Sequence, residues 1–247
     1  CTVIVGDIVH TKTDMSPEMV SLTSDFFSNL ASISPTYIIL GNHDGNLKNS
    51  SRQDAITPIV NALNHPNVHL LKDSGEVFLT ENKSFETLRE LTGTEYVLNV
   101  LSVFDRENWQ KPSKPESVNI ALYHGSISNC KTDLNWVMEH GEDNINIFDD
   151  FDYAMLGDIH KRQSLDAAGR IRYCGSTVQQ NHGETNDKGF LLWDIQSKDK
   201  FTVRHIELKN PKPFITIELT PKGKIPRGTT IPPTTRLRLV SNNNLPL

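Results

Sequence analysis

The sequence predicts an α/β protein over about its first two-thirds and a β-rich structure afterwards. Two observations lead to this class: short apolar runs alternate with amphipathic segments in the first part, and strand-like segments separated by turn-forming residues follow. With 247 residues, the chain has room for one large domain, or for one domain and part of a second.

The first strand is predicted at Thr2–Val5, and a helix follows it. Ser16-Pro17-Glu18 combines an N-cap residue, a proline at the first helical position and an early acid, which is typical of a helix start. Apolar residues then recur at three- and four-residue spacing, which predicts one apolar helix face. This face consists of Met19, Leu22, Phe26 and Leu30.

The next two elements are a strand and a second helix. Tyr37–Leu40 is apolar throughout, as in strands that are covered on both faces. The helix is predicted from Ser51 to about Asn64, with Ile56, Ile59, Val60 and Leu63 facing inward. Further strands are predicted at Val68–Leu71, Tyr96–Val103, Val118–Tyr123, Tyr153–Leu156, Ile171–Cys174 and Gly189–Ile195. The last two bracket turn-like sequence, which favours a meander.

Composition excludes several classes of protein. No apolar run approaches the roughly 20 residues that span a bilayer, which excludes a membrane protein. Three widely spaced cysteines without a CxxC pair exclude a disulfide scaffold. The formal charge of −5 argues against a protein that binds nucleic acid by bulk charge.

The distribution of charge suggests two modules. Residues 201–247 hold eight Lys and Arg against two acids, whereas the preceding 200 residues carry a net charge of −11. Chance clustering on a solvated face is the alternative. Asn210-Pro211-Lys212-Pro213 is the best candidate boundary, because two prolines interrupt helix and strand. We therefore predict a core at 1–208 and a basic module at 209–247, with strands at Phe214–Leu219 and Thr235–Val240.

Four short polar motifs each follow an apolar strand. They are Gly6-Asp7, Gly41-Asn42-His43-Asp44, His124-Gly125 and Gly157-Asp158-Ile159-His160. In open α/β sheets, ligands bind at the carboxyl ends of the strands, so these side chains are expected at one site. Each motif alone also fits an ordinary turn or a hydrogen-bonded histidine.

The donor types in these motifs indicate a metal site. Carboxylate, amide and imidazole groups without cysteine suit Mn²⁺, Fe²⁺, Mg²⁺ or Zn²⁺. A carboxylate such as Asp7 can bridge two metals about 3.5–4 Å apart, a spacing that activates water against phosphate esters.

Taken in order, the four motifs resemble those of calcineurin-like metallophosphoesterases. Further segments are similar to one branch, the SbcD-type DNA repair exonucleases of bacteria and phages. These segments are Leu156–Lys161, Tyr173-Cys174-Gly175-Ser176, Gln179-Gln180-Asn181 through Glu184, and Lys188–Asp194.

The resemblance implies a four-layer αββα sandwich, with two divalent metals at one edge and the start of a capping module after Pro213. Mn²⁺ is the expected metal, with Mg²⁺ as the alternative. By match of motif, Asp7 bridges both metals, Asn42, His124 and Asp158 hold the second metal, and His160 holds the first. His43 faces the phosphate, Asp44 orients His43, and His10 lies beside the site, where it helps to position DNA or is simply a surface histidine.

Two departures from the family pattern have consequences. The family's first motif, Asp-x-His on a preceding strand, is absent, and we expect that about 30–40 upstream residues are missing (one strand–helix unit). The chain as given is then expected to bind at most one metal well and to have little activity. Asp158 stands where the superfamily more often has histidine, which favours Mn²⁺ or Mg²⁺ over Zn²⁺.

The resemblance also implies substrate, partners and location. It implies 3′→5′ exonuclease and endonuclease action on DNA, together with an SbcC-type coiled-coil ATPase, as a possible homodimer in the cytoplasm of a bacterium or a phage-infected host. Lys161, Arg162, Arg170 and Arg172 are candidate DNA phosphate contacts, or else a solvated loop. Sparse aromatic residues (7%) do not indicate base stacking. The rival functions are another phosphoesterase, acting on phosphoproteins or nucleotides, and a non-catalytic module that binds DNA ends.

Overall fold

A computed structural model of the chain describes residues 1–49, 51–79 and 83–241. Its helices are α1 (Pro17–Ile33), α2 (Thr57–Leu63) and α3 (Lys83–Thr92), with short 3₁₀ turns at Arg106–Asn108 and Ile145–Phe148. Its strands are β1 (Thr2–Val5), β2 (Thr36–Ile39), β3 (Val68–Leu71), β4 (Gly75–Phe78), β5 (Tyr96–Leu101), β6 (Val118–His124), β7 (Cys130–Lys131), β8 (Val137–Met138), β9 (Tyr153–Gly157), β10 (Gln163–Ser164), β11 (Ile171–Tyr173), β12 (Gly189–Ile195), β13 (Phe201–Glu207), β14 (Phe214–Glu218) and β15 (Arg236–Val240). Among the described residues, none of the helices is long and apolar enough to cross a membrane.

Two sheets form the body of the protein. The smaller one is parallel, in the order β1-β2-β3, and the larger one has the order β10-β11-β9-β6-β5-β4. Within the larger sheet β11, β9, β6 and β5 are parallel to one another, whereas the edge strands β10 and β4 are antiparallel to them. The carboxyl ends of the parallel strands therefore meet along one edge of each sheet.

Three apolar clusters show how the layers pack. The first lies between the sheets and combines β1 and β2 side chains such as Val5 and Ile39 with β5 and β6 side chains such as Leu98 and Leu122. The second packs α1 and α2 on the other face of the small sheet. The third covers the outer face of the large sheet, mainly with loop residues and the turn at Ile145–Phe148. The mixed α/β sandwich that the sequence predicts is confirmed.

The predicted apolar face of α1 points to solvent. The residues of this helix that are buried are Thr23, Phe27 and Ala31, whereas Leu22 is 65% and Phe26 46% exposed. Thr23 and Ala31 are small and flank Phe27 at four-residue spacing, so they allow the helix to lie close to the sheet. Phe26 and Phe27 are adjacent, so their side chains point about 100° apart around the helix. Periodicity alone therefore could not decide whether the face with Phe26 or the face with Phe27 is buried.

The second helix begins six residues later than predicted. The Asp54 carboxylate accepts hydrogen bonds from the Ile56 and Thr57 amides, at 3.0 and 2.6 Å, and thereby fixes the start of α2. Its inward face is as predicted, since Ile56 and Ile59 are buried and pack against the small sheet.

The predicted meander is wrong. β11 pairs with β9 and β10 in the large sheet, whereas β12 pairs with β13 in a separate hairpin. This hairpin packs Trp193 and Phe201 against Tyr153 at one side of the sandwich, which explains its apolar residues. Beyond the two prolines, β14 and β15 form a parallel pair, so strands occur where the basic module was predicted. Residues 242–247 of that module lie outside the described part of the chain.

Candidate metal centre

The polar motifs converge at the carboxyl ends of β1, β2, β6 and β9. Asp7 follows β1, Asn42 and His43 follow β2, His124 is the last residue of β6, and Asp158 comes directly after β9. Because these strands run in parallel in two packed sheets, residues far apart in sequence reach the same edge.

Glycines allow the loops of the two sheets to approach closely. A Cβ atom on Gly41 would collide with the Asp7 backbone and carboxylate, and one on Gly157 would collide with the Val5 carbonyl and the His124 ring. The glycines that precede Asn42 and Asp158 are therefore required by the contact between the two sheets.

Three ligand atoms lie together at this edge. The nearest donor atoms of Asp7, His124 and Asp158 all lie within 4.8 Å of one another. His124 Nε2 is 3.2 Å from Asp7 Oδ1 and 3.8 Å from Asp158 Oδ1. Asp7 and Asp158 both have positive φ, 55° and 86°, which non-glycine residues rarely adopt, and such strain is concentrated at functional sites.

The His124 ring indicates that a cation fits between these groups. Its Nδ1 lies 2.6 Å from the Val5 carbonyl, which can only accept, so Nδ1 carries a proton and Nε2 of the neutral ring presents a lone pair. Nε2 is buried, and among the described residues it has no hydrogen-bond partner of acceptable geometry. A cation would satisfy this buried acceptor between two carboxylates, and the carboxylate and imidazole donors suit a divalent metal ion.

The charges of these groups are strongly coupled. Burial acts to lower the pKa of His124, yet the Asp7 carboxylate raises it above its ordinary value. Burial acts to raise the pKa of Asp7, but His124 and the His43 amide bring it below the ordinary value. For Asp158, burial raises the pKa, and the negative charge of Asp7 adds to that effect although His124 opposes both. A bound cation would relieve the repulsion between the two carboxylates.

Asn42 and His160 flank the three-residue cluster. The Asn42 amide donates from Nδ2 to Asp158 Oδ1 at 3.4 Å, so it must turn to present its oxygen to a metal. His160 lies outside the three-residue cluster but shares a pocket with Asp158. Its Nδ1 lies 2.9 Å from Glu184 Oε1, and because a carboxylate accepts, Nδ1 donates and Nε2 is left free.

The structure corrects the expected contact between Asp44 and His43. The Asp44 carboxylate is fully buried and accepts hydrogen bonds from the backbone amides of Asp7, Ile8, Val9 and Gly41, at 2.8 to 3.1 Å. Burial raises the pKa of Asp44 to about 6, so this carboxylate is ionised at neutral pH. Asp44 therefore positions the loop that carries Asp7.

The His43 ring is oriented by His10. Its Nδ1 donates to the His10 carbonyl at 2.9 Å, and the two rings stack with centroids 5.1 Å apart. The His43 amide donates to Asp7 Oδ1 at 3.0 Å. Nε2 of His43 has no hydrogen-bond partner among the described residues, and Asp44 acts on His43 through the loop between Asp7 and His10.

Several residues that the sequence did not reveal surround His160. The side chains of Glu184 and Lys188 are each 5% exposed, and that of Asp133 is 8% exposed. Lys188 Nζ lies 3.0 Å from Asp133, 3.4 Å from Glu184 and 2.9 Å from the His160 carbonyl. Glu184 belongs to a segment that resembles the SbcD branch, which was the available signal, but its contact with His160 requires the fold.

Gln179 connects this cluster to the C-terminal strands. It is buried, and its amide donates to the carbonyls of Glu184 and Phe214, at 2.8 and 3.1 Å. The Phe214 amide in turn donates to Gln179 Oε1 at 2.9 Å. The start of β14 is thus held next to the segment that orients His160.

The four basic residues predicted to contact DNA do not form one group. Lys161 and Arg162 line a cavity of about 250 Å³ beside His160. Arg170 precedes β11, at the opposite end of the large sheet, where it pairs with Asp199 at 2.9 Å. Arg172 folds back to donate to the Gly169 carbonyl at 2.6 Å. Proximity in sequence to His160 was misleading for Arg170. Because β11 is parallel to β9, the start of β11 lies at the amino-terminal ends of the strands, whereas His160 lies at their carboxyl ends.

Comparison with known proteins agrees with this site. The sequence profile of the calcineurin-like phosphoesterase family matches residues 2–162. An uncharacterised protein of Acanthamoeba polyphaga mimivirus, R555, is 36% identical over 253 residues, which cover 98% of this chain and 17% of that protein. A predicted phosphoesterase of Invertebrate iridescent virus 6, 244L, is 27% identical over 190 residues, which cover 77% of this chain and 62% of that protein. The chain thus spans less than two thirds of the length of either relative.

The residues at the strand ends, Asp7, Asn42, His43, His124, Asp158 and His160, are called the strand-end cluster below. The family match covers more than half of the chain and contains this whole cluster, and the chain therefore belongs to the calcineurin-like phosphoesterase family.

Proposed function

We propose that the chain hydrolyses phosphodiester bonds of DNA, as an exonuclease and endonuclease of the SbcD type. The observation that carries the proposal is the cluster of Asp7, His124 and Asp158 around an unpartnered Nε2 atom, at a sheet edge with His43 beside it. The family match supports phosphoester hydrolysis, and DNA as the substrate is our extension.

The chain's own groups have separate roles in this proposal. Asp7, Asn42, His124 and Asp158 hold one divalent ion, and His160 contributes to a second. Mn²⁺ or Mg²⁺ in such sites activates water and neutralises phosphate charge. His43 hydrogen-bonds the phosphate or protonates the leaving oxygen through Nε2, because Nδ1 is committed to the His10 carbonyl. Asp44 keeps Asp7 in position through four amide hydrogen bonds.

Two features favour DNA over other phosphoesters. Lys161 and Arg162 lie beside His160, where they can contact the phosphates that flank the reacting one. The segments that resemble the SbcD branch, Tyr173–Ser176 and Gln179–Glu184, form contacts around His160. In this proposal an SbcC-type ATPase controls access of DNA, the protein forms a homodimer, and residues 209–247 begin a capping module.

The test compares substrates and variants in the presence of Mn²⁺. Turnover by the chain as given should be low, but it should cleave the ends of linear duplex DNA faster than p-nitrophenyl phosphate or cyclic AMP, and His124→Ala should abolish that cleavage. Leu22→Ala is the matched control, since Leu22 is exposed on α1, away from the strand-end cluster. Faster hydrolysis of cyclic AMP or of phosphoproteins would favour another phosphoesterase, and DNA binding without any metal-dependent cleavage would favour a non-catalytic module.

A further inference from the structure

Two exposed apolar side chains stand at the tip of the β7–β8 hairpin. Leu134 is 75% exposed and Trp136 is 63% exposed. Single exposed apolar residues are common on protein surfaces. A leucine and a tryptophan on one short tip, beside a cluster of ionisable groups, call for a more specific explanation.

The hairpin tip is fixed to the rest of the protein. Asp133, between Thr132 and Leu134, forms a buried ion pair with Lys188 at 3.0 Å and accepts a hydrogen bond from Thr185 Oγ1 at 3.1 Å. The tip also closes on itself, because the Thr132 amide donates to the Trp136 carbonyl at 3.0 Å. Trp136 is therefore presented on a rigid turn, so that contact with a ligand costs little conformational entropy.

The tip faces the candidate metal centre. A cavity of about 480 Å³, within the range of small-molecule sites, is lined by Leu134 and Trp136 on one side and by Asp158, His160 and Glu184 on the other. An occupant of this cavity would therefore touch both the apolar tip and Asp158 and His160, which the proposed function assigns to the metal centre.

We propose that Leu134 and Trp136 form a stacking platform for the nucleobase next to the phosphate held at the metal centre. This inference rests on the proposed function and extends it to the specificity of the same site. A nucleobase is flat, apolar on its faces and joined to the phosphate through the sugar, which matches an aromatic ring beside polar ligands. Stacking is tolerant of base identity because every base has a π face, as a nuclease without sequence preference requires.

The test measures binding of two single-stranded probes that differ only in their bases. One is oligothymidylate and the other is an abasic oligodeoxyribose phosphate of the same length, each labelled at its end and titrated by anisotropy with Ca²⁺ present. In the wild-type chain the base-bearing probe should bind more tightly. Trp136→Ala should reduce the affinity ratio between the two probes by roughly 5- to 150-fold, the range of base–aromatic stacking.

Conservative and distant variants serve as controls. Trp136→Phe should retain most of the ratio because its ring still stacks, and Leu22→Ala, exposed to a similar extent on α1, should leave the ratio as in the wild type. Tryptophan fluorescence gives an independent signal. Oligothymidylate should quench the wild-type emission, and most of that quenching should disappear in Trp136→Phe, because Trp109 and Trp193 are partly buried elsewhere.

The outcomes separate this inference from the proposed function. If Trp136→Ala weakens both probes equally or changes neither, while His124-dependent cleavage of DNA persists, the platform is wrong and the proposed function stands. If neither probe binds and DNA is not cleaved, both are wrong. A lower affinity ratio in Trp136→Ala, with the ratio kept in Trp136→Phe, establishes the platform.

Discussion

The two halves of the candidate site are held in position by different kinds of contact. In the His43 half, formed by the loops after β1 and β2, main-chain atoms do most of the positioning. Asp44 accepts four backbone amide hydrogen bonds, and the His10 carbonyl orients the His43 ring. In the His160 half, after β9, side chains do this work, through Glu184, Lys188 and Asp133.

This difference determines how each half depends on the rest of the sequence. Asp44 lies within a four-residue motif, and the loop that it holds needs only backbone amides, which nearly every residue supplies. His160 instead depends on a carboxylate 24 positions later, which is paired with a lysine that also pairs with Asp133. The first half should therefore tolerate changes around its motif, whereas the second should be sensitive to replacements at distant positions.

The largest effect is expected from Asp44→Ala. The substitution leaves four backbone amides without their acceptor, two of them in buried hydrogen bonds, and each unsatisfied buried amide costs about 1–3 kcal/mol. The substitution also removes the cost of burying the ionised carboxylate, which its raised pKa indicates, and this offsets part of the loss. The free energy of unfolding should therefore fall by about 2–4 kcal/mol. Denaturant unfolding measures this loss, and Mn²⁺ titration should show weaker binding because Asp7 is no longer held.

Asp44→Asn is the matched variant, because asparagine has nearly the shape of aspartate. Its NH₂ group replaces one carboxylate oxygen and cannot accept a hydrogen bond from the backbone amides that face it. It should lose Mn²⁺ affinity while retaining the fold. Wild-type Mn²⁺ affinity in both variants would show that the backbone contacts do not position the His43 half.

A smaller and more selective effect is expected from Glu184→Gln. Loss of the carboxylate that orients a histidine ligand usually lowers metal affinity by about 10- to 100-fold. The weaker Mn²⁺ site, which includes His160, should lose affinity by that factor, and the tighter site at Asp7, His124 and Asp158 should lose much less. Electron paramagnetic resonance titrations can resolve the two ions.

Glu95→Gln provides the control for Glu184. The Glu95 side chain is 13% exposed and pairs with Lys114 at 3.1 Å, away from the strand-end cluster, so its loss should affect stability alone. Equal weakening of both ions by Glu184→Gln would mean that the two halves are not positioned independently.

The predictable parts of the fold are those with a local cause. Strands β3 and β12 have the predicted bounds, because each is a short apolar or alternating run between turn-forming residues. The convergence of Asp7, His124 and Asp158 followed from a rule about parallel strands and needed no side-chain detail. The alternative that each motif is an ordinary turn was removed only by the distances between them.

The wrong predictions arise where the partner of a strand, or the buried face of a helix, depends on residues that are distant in the sequence. The buried face of α1 depends on which stripe meets the small sheet, and Phe27 rather than Phe26 does so. The partner of β12 is β13, a strand that the sequence did not predict. Glu184 and Lys188 could not be assigned to His160, because their contacts with His160 join positions that are 24 and 28 residues apart in the sequence.

The two pairs of basic residues should differ in their effect on DNA binding, if the proposed function is right. Lys161→Ala with Arg162→Ala removes two charges beside the His160 half, whereas Arg170→Ala with Arg172→Ala removes two charges elsewhere. The first pair should reduce the slope of log affinity against log salt by about 1.8, and weaken duplex binding about tenfold at low salt. The second pair should change affinity less than twofold in the same titrations. Similar losses for both pairs would extend the DNA-binding surface beyond the His160 half.

The smallest effect is expected from Asp54→Ala. Like Asp44, Asp54 accepts hydrogen bonds from backbone amides, but it lies away from the metal centre, so its loss should lower stability without changing Mn²⁺ affinity. Asp54 binds the Ile56 and Thr57 amides at the start of α2 and pairs with Lys72 at 2.9 Å. Loss of such a cap costs about 1 kcal/mol.

Burial acts to raise the pKa of Asp54, but the contacts with Thr57 and Lys72 bring it below its ordinary value. Its contribution is therefore present above about pH 4, the pKa of an aspartate in an unfolded chain, and is lost as the pH falls through the lower folded-state pKa. Unfolding curves of wild type and Asp54→Ala should therefore converge as the pH is lowered. At neutral pH the two proteins should bind Mn²⁺ with the same affinity. A drop in Mn²⁺ affinity as large as that of Asp44→Ala would mean that α2, and not the amide contacts of Asp44, positions the His43 half.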